Sequence, residues 1–268
     1  MTQGAAKTTD FMLGSATIML GPQDALFNLT DANSVGLVKN VTTKTTPGFV
    51  ELTQGIRNSL VYSVMNSNAV GITAEMYEYT PSNLAYSLSL DGAQFVRQTA
   101  GSTLATAYAA PVAPAEVGDD ELLLAAVVGL TVDSFVLVHT GKDDNVMIRK
   151  IISVDAGAKS IQMDSGLPMA LGIGAKVEKV NVIAVGSQDN APFLSCKIVG
   201  TLANGDTVPM LFPKVRVKSG LSMAFKTDNF DHIPFELEIY DLVEADPHFA
   251  LFQTIGANGT PAKGMILD

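Results

Sequence analysis

The sequence predicts a mainly β chain, a β-sandwich or barrel with one flanking α-helix, interrupted by a small all-β insertion. Three observations predict it. Apolar and polar residues alternate in residues 70–79 and 235–241, which is the side-chain period of a half-buried strand. One stretch, residues 80–92, carries a full set of helix start and stop signals. Between Gln98 and Val182 the composition changes, and short strand-like runs follow one another at close spacing.

Taken in order, the residues up to about Thr46 are rich in Thr, Gly and Asn and read as partly extended and partly arm-like. Residues 58–65 (N-S-L-V-Y-S-V-M) and 70–79 (V-G-I-T-A-E-M-Y-E-Y) read as two strands of a hairpin across the polar break Asn66-Ser67-Asn68. The second strand places Val70, Ile72, Ala74 and Met76 on one face. Thr80 can cap a helix, Pro81 suits its first position, Leu84 and Leu88 offer an apolar side, and Asp91-Gly92 closes it.

Residues 100–115, rich in Ala, Thr and Pro, read as a connector. Beyond it, residues 134–140, 146–154, 160–164 and 175–181 read as strands. Turns at Gly141-Lys142-Asp143-Asp144, Asp155-Ala156-Gly157 and Gly172-Ile173-Gly174 separate them, in the rhythm of a small barrel or sandwich. Residues 193–200 and 208–218 supply two more strands around the turn Asn204-Gly205-Asp206, with Pro209 and Pro213 pointing to an edge or a bulge. A short turn is expected at Ala245-Asp246-Pro247-His248. Phe235, Leu237 and Ile239 face inward, leaving Glu236, Glu238 and Tyr240 outward. The expected organisation is a host domain in two parts, residues 1–97 and 183–268, with the insertion at residues 98–182.

Composition narrows the function. Of 268 residues, 47% are hydrophobic but only 16% are charged, against about 25% in ordinary globular chains. A chain so lightly charged, with mean hydropathy +0.26, is expected to hide much of its outside against other chains. The formal charge of −10 argues against gripping phosphate backbones, which needs clustered Lys and Arg. The first residues lack the basic-then-apolar order of a secretory signal, and no apolar run approaches the ~18 residues of a membrane span. An intracellular or particle-bound soluble chain is expected.

Reactive chemistry is thin. Cys196 is the only cysteine and reads as a small buried hydrophobe on a strand. His139, His232 and His248 have no metal-ligand spacing. The cluster Asp228-Asn229-Phe230-Asp231-His232 is too short for a calcium loop and reads as a solvated loop. Gly172-Ile173-Gly174-Ala175-Lys176-Val177 lacks the last glycine of a dinucleotide loop, and Gly141-Lys142 is followed by Asp143 where a phosphate-binding loop needs Ser or Thr. No catalytic, cofactor-binding or metal-binding residue is assigned, and no cofactor is expected.

The segments V-E-L-T-Q-G-I-R-N (residues 50–58), E-M-Y-E-Y-T-P-S-N-L-A-Y-S-L-S-L-D-G (residues 75–92) and D-H-I-P-F-E-L-E-I-Y-D (residues 231–241) together resemble the major tail tube proteins of long-tailed bacteriophages. The similarity covers roughly residues 10–97 and 184–255 and lies in element order and the strand-to-helix junction. It implies a tail-tube-type β-sandwich or barrel that assembles as stacked hexameric rings, with strands of neighbouring subunits closing an inner β-barrel through which DNA passes. Residues 58–79 would supply inner strands, the helix would lie outside them, and residues 1–46 would include arms for ring-to-ring contacts. Glu75, Glu236 and Glu238 would be candidate lumen-facing residues on a negatively lined wall. Other implied partners are the tape measure, terminator and baseplate or tip proteins, with transient, non-specific passage of viral DNA. The implied location is the virion tail, with assembly in the host cytoplasm. The insertion would project outward, which favours a non-contractile tail. The alternative is a capsid- or tail-decorating β module that binds host-surface glycans through the insertion.

Overall fold

A computed structural model of the chain describes residues 15–54, 58–95, 97–103, 115–139, 146–172, 175–186, 191–202, 204–223, 231–257 and 259–267. The chain divides into two compact units, one of Met1–Phe95 with Ala184–Asp268, the other Val96–Ile183. Its elements in order are β1 (Ala16–Pro22), β2 (Val38–Gln54), β3 (Ser59–Met76), α1 (Pro81–Ser87), β4 (Gly101–Thr103), β5 (Glu121–Leu123), β6 (Phe135–His139), β7 (Val146–Asp155), β8 (Ser160–Met163), β9 (Lys176–Val180), β10 (Leu194–Thr201), β11 (Thr207–Val217), β12 (Ile233–Ile239), α2 (Phe249–Ile255) and β13 (Met265–Ile266). The fold is mainly β, built of two antiparallel sheets with short helices beside them.

In the first unit the sheet runs β1-β10-β11-β12-β3-β2, with β13 on β11. Alternate side chains of every long strand enter one core: Ile18 and Leu20, Ile72 and Met76, Cys196 and Ile198, Val215 and Val217, Phe235 and Leu237. The two edges approach each other where the Val35 N–H donates to Ile18 O at 3.0 Å, so the sheet curls around that core as a barrel does. Gly36 makes the turn into β2 at φ +79°, and a Cβ there would collide with the Glu78 carboxyl. That carboxyl instead accepts the Leu37 N–H at 2.9 Å.

The helix α1 begins where the sequence places it. Thr80 Oγ1 accepts the Asn83 N–H at 3.1 Å, and Pro81 occupies the first turn, where its missing N–H costs nothing. Tyr86 enters the sheet's core. The buried Asn83 side chain donates to Val35 O and Glu78 O, each at 2.8 Å, tying the helix to the chain on both sides of β2 and β3. Asp91-Gly92 does more than stop α1: Asp91 caps a further 3₁₀ turn over Gly92–Gln94.

In the second unit the order is β4-β9-β6-β7-β8-β5 around a separate core that includes Leu122, Val136, Val138, Ile151, Ile161 and Val177. Its edges also meet, because the Ala125 N–H donates to Thr103 O at 2.9 Å. Closure of this kind leaves little free edge to recruit unwanted strands.

The structure corrects several expectations. Asn66-Ser67-Asn68 does not turn: β3 runs straight through it, and the true hairpin is β2 with β3. The register shifts between Gly48 and Phe49, so the break is a bulge that β2 accommodates while the ladder continues on both sides. Residues 16–46 are no loose arm, since they hold β1, 3₁₀ turns and the first half of β2, with Ile18 and Leu20 fully buried. Residues 1–14, most of the connector at 104–114 and the turn at 141–144 lie outside the described residues; Gly101–Thr103 at the connector's start is β4.

Of the edge or bulge expected for β11, the structure has the bulge, beside Pro213, and not the edge. β11 pairs with β10 on one side and with β13 and then β12 on the other. Pro213 falls between the last β13 partner, Leu211, and the first β12 partner, Val215, where the β10 register also shifts, so its missing N–H interrupts no ladder. Helix α2 was not anticipated, although the turn before it was.

Two substitutions test this reading of the core and cap. Phe235→Ala should cost about 3–5 kcal/mol, because a fully enclosed ring leaves a cavity, while Thr80→Ala should cost about 1 kcal/mol. Urea unfolding of the intact chain measures both, and equal losses would contradict the assignment.

Candidate functional site

β12 reads I-P-F-E-L-E-I, and its odd-numbered residues Ile233, Phe235, Leu237 and Ile239 are all buried. Alternation therefore sends Glu236 and Glu238 to the opposite face of the sheet. β3 obeys the same rule with Ile72, Ala74 and Met76 inward, so Glu75 joins them. In the β12–β3 register Glu75 stands opposite Pro234, Glu236 opposite Thr73 and Glu238 opposite Gly71. All three acids singled out in the sequence thus share one face.

Their surroundings differ. Glu75 accepts from Asn40 Nδ2 at 2.9 Å and from the Tyr77 hydroxyl at 3.0 Å. These two bonds, Asn40 first, hold its carboxyl below the ordinary value, and the same bond to Glu75 pushes the Tyr77 phenol up. Glu238 accepts from the Tyr240 hydroxyl at 2.7 Å and pairs with Lys218 Nζ at 3.3 Å. The Tyr240 bond is the main reason its carboxyl is lowered, with Lys218 assisting. Glu236 is exposed, and its N–H donates to Ser219 Oγ at 3.1 Å.

Cations are interleaved with these acids. Arg216 lies opposite Glu238 in the ladder, with its guanidinium 4.0 Å from the Phe193 ring centre and 5.5 Å from that of Tyr240. Lys39 stands 4.8 Å over the Tyr77 ring. Lys214 Nζ meets Asp246 at 2.6 Å with both side chains largely covered. Burial alone would raise the Asp246 pKa, but the bonds from Lys214 and from the Val243 N–H outweigh it and lower it. The face is a mixed-charge surface and not a plain acidic one.

A second feature was missed in the sequence. Beyond Thr45 and Val70, the hairpin of β2 and β3 leaves the core and continues for about 30 Å at a strand's rise per residue. Along it Phe49, Val50, Leu52, Leu60, Val61, Tyr62, Val64 and Met65 are between 47% and 64% exposed. Val50 pairs with Val64 and Leu52 with Tyr62, which gathers four of these side chains on one face. The signal was present as an absence: residues 58–74 contain no Asp, Glu, Lys or Arg. The β2 edge facing away from β3 is the sheet's outer edge.

Of the remaining sequence candidates, Cys196 lies wholly inside the first core, where burial pushes its thiol pKa up. His139 is buried 3.7 Å from Glu178, and His232 lies against the Tyr77 ring. Asp228, Asn229 and Phe230 lie outside the described residues. Among the described residues no group of three or more His, Cys, Asp or Glu is placed to hold a metal ion, and no helix is long and apolar enough to cross a membrane. No protein-family model matches the chain, and no curated protein matches its sequence.

The two hydrogen-bonded carboxylates set an acid limb of stability. With folded pKa values lowered from 4.5, Glu75 and Glu238 bind fewer protons in the folded chain than in the unfolded one. Their contribution is complete above that value and drains away as pH falls through the lowered one. Glu75→Gln and Glu238→Gln should each flatten the decline in urea midpoint between about pH 5 and pH 3. A decline identical to that of the parent chain in both variants would remove the assigned bonds.

Proposed function

We propose that this chain is a structural subunit that assembles with copies of itself into stacked hexameric rings, and that the assembly is the tail tube of a long-tailed bacteriophage. The observation that carries the reading is the β2–β3 arm. A solitary two-stranded ribbon is marginal in water, and this one exposes eight large apolar side chains. A patch of that kind marks an interaction surface. Covering each half-exposed side chain gains roughly 1 kcal/mol, so neighbouring copies that enclose the arm offset much of the cost of association.

The low total charge supports the same reading, because subunits packed on several sides need less charge to remain soluble. An open outer edge on β2 offers backbone donors and acceptors to a strand of the next copy, and closing a ring removes that edge. The resemblance of residues 50–58, 75–92 and 231–241 to tail tube proteins supplies the kind of assembly. On this reading Glu75, Glu236 and Glu238 face the lumen, DNA slides past without sequence-specific contacts, and the tape measure, terminator and tip proteins are the further partners. No catalytic step is assigned.

Negative-stain microscopy of concentrated protein tests it. Rings or tubes with a central hole are expected, whereas a chain that stays monomeric under every nucleating condition overturns the reading. Replacing Val50, Leu52 and Val64 together with Ser should abolish assembly and lower the unfolding free energy of the monomer by no more than about 1.5 kcal/mol, because about half of each side chain is already in water. Changing Glu236 and Glu238 to Lys should leave tubes intact but slow DNA ejection; normal ejection from normal tubes would remove these residues from the lumen.

A further inference from the structure

A second apolar surface lies elsewhere on the same unit. Leu26, Leu211, Leu242 and Phe252 form a small core separate from the main one. The elements that enclose it leave Phe27 (48%), Leu251 (43%) and Ile255 (47%) exposed. In α2, Phe252 points inward while Leu251 and Ile255, four residues apart, share a flank that the described residues leave nearly half exposed. Phe27 packs edge-on against His248, the residue before α2, at 4.9 Å between ring centres, and the Leu251 N–H donates to His248 O at 3.1 Å. The 3₁₀ turn of residues 23–28 and α2 are therefore joined at their exposed apolar rims.

Charge selects the occupant. A chain of net −10 repels its own copies except where the meeting surfaces are neutral. The two longest stretches of this unit without Asp, Glu, Lys or Arg are residues 58–74, which form most of the arm, and residues 247–262, which contain α2. On the arm's other strand Glu51 is the only charged residue from 45 to 54. Both surfaces suit a neutral, apolar partner, and each is what the other needs. Two different patches on one chain that fit each other make a head-to-tail contact, which propagates into rings or stacks and does not stop at a dimer.

We infer that the apolar face of the arm, Val50, Leu52, Tyr62 and Val64, seats on the α2 surface of Phe27, Leu251 and Ile255 in a second copy of the chain. This rests on the self-assembly reading and names the surface that receives the arm. The contact is tested by thiol cross-linking of the full chain, for which the buried Cys196 leaves no competing background. One population carries Leu52→Cys or Tyr62→Cys and the other Leu251→Cys or Ile255→Cys, mixed before assembly with a short bismaleimide. Mixed arm-to-α2 dimers are expected to dominate over arm-to-arm and α2-to-α2 products. Leu251→Ser with Ile255→Ser should weaken assembly roughly tenfold or more while leaving the fold intact, since both side chains are already half in water. Assembly that persists at full strength in this double variant, or cross-links confined to arm-to-arm pairs, overturns the inference and leaves the self-assembly reading standing. A parent chain that never assembles overturns both.

Discussion

The ladder between β2 and β3 is the constraint on which the first unit depends. Fifteen residue pairs run along it from Val38 with Met76 to Gln54 with Ser59. Its inner end is locked, because Ile72, Ala74 and Met76 are core residues and β12 holds the other side of β3. Its outer end has no core at all. A one-residue slip in such a ribbon would turn every side chain over. The inner end forbids the slip, so the register of the exposed arm is fixed by residues far from it. An arm that carries Val50, Leu52, Tyr62 and Val64 on one face can hold that pattern in water only because its root is buried. The three register shifts, near Lys39, Gly48 and Leu52, add local twist without freeing the strands.

The C-terminal segment is fastened by a different device. Lys214 on β11 meets Asp246 with side-chain exposures of 9% and 12%, and the Val243 N–H completes the carboxylate's set. A buried pair of this sort adds little net stability, but removing one partner strands the other. It therefore positions the turn before α2 more than it strengthens the unit. Lys263 with Asp241 repeats the fastening at 3.2 Å on the far side of α2. The consequence is local neutrality: ionised groups near α2 are spent on one another, and the helix flank itself carries none.

How much was legible follows from which force sets each element. β6, β7, β8 and β9 fell within a residue or two of the expected runs, because short alternating segments between Gly- and Asp-bearing turns report their own burial. α1 was legible from Thr80 and Pro81, whose roles are local. The hairpin differs from the expectation because Asn66-Ser67-Asn68 has turn-like composition, while its conformation is imposed by pairing with β2, about twenty residues earlier in the chain and invisible in a local window. β4, β5 and β13 span two or three residues, too short to show any period. Helix α2 has a Gly after it but no side-chain cap before it, since His248 stands there at φ +65°. Of the site, the common face of Glu75, Glu236 and Glu238 was readable from alternation; their partners Asn40, Tyr77, Tyr240 and Lys218 required the tertiary register.

Those partners change what the acids do. The first unit holds 10 Lys and Arg against 17 Asp and Glu, and among the described residues Lys39, Lys44, Lys197, Lys214, Arg216 and Lys218 share the face that carries the candidate lumen residues. Cross-strand neighbours stand about 5 Å apart, inside the Debye length of about 8 Å at physiological salt, so an ion near this face senses alternating charge and no uniform negative field. Repulsion of phosphate is then the weaker half of the account. A polyanion stalls on cations that are free to turn toward it. Here Lys218 is held by Glu238, Lys214 by Asp246, Lys197 by Leu29 O at 3.3 Å, Lys39 over Tyr77 and Arg216 over Phe193. On the proposed reading of this face as a lumen wall, Glu238 and Tyr240 would keep it from binding by engaging Lys218 and Arg216, and the excess of acids would supply the long-range sign. Smooth passage of DNA along such a surface would come from engaged cations first and from net charge second.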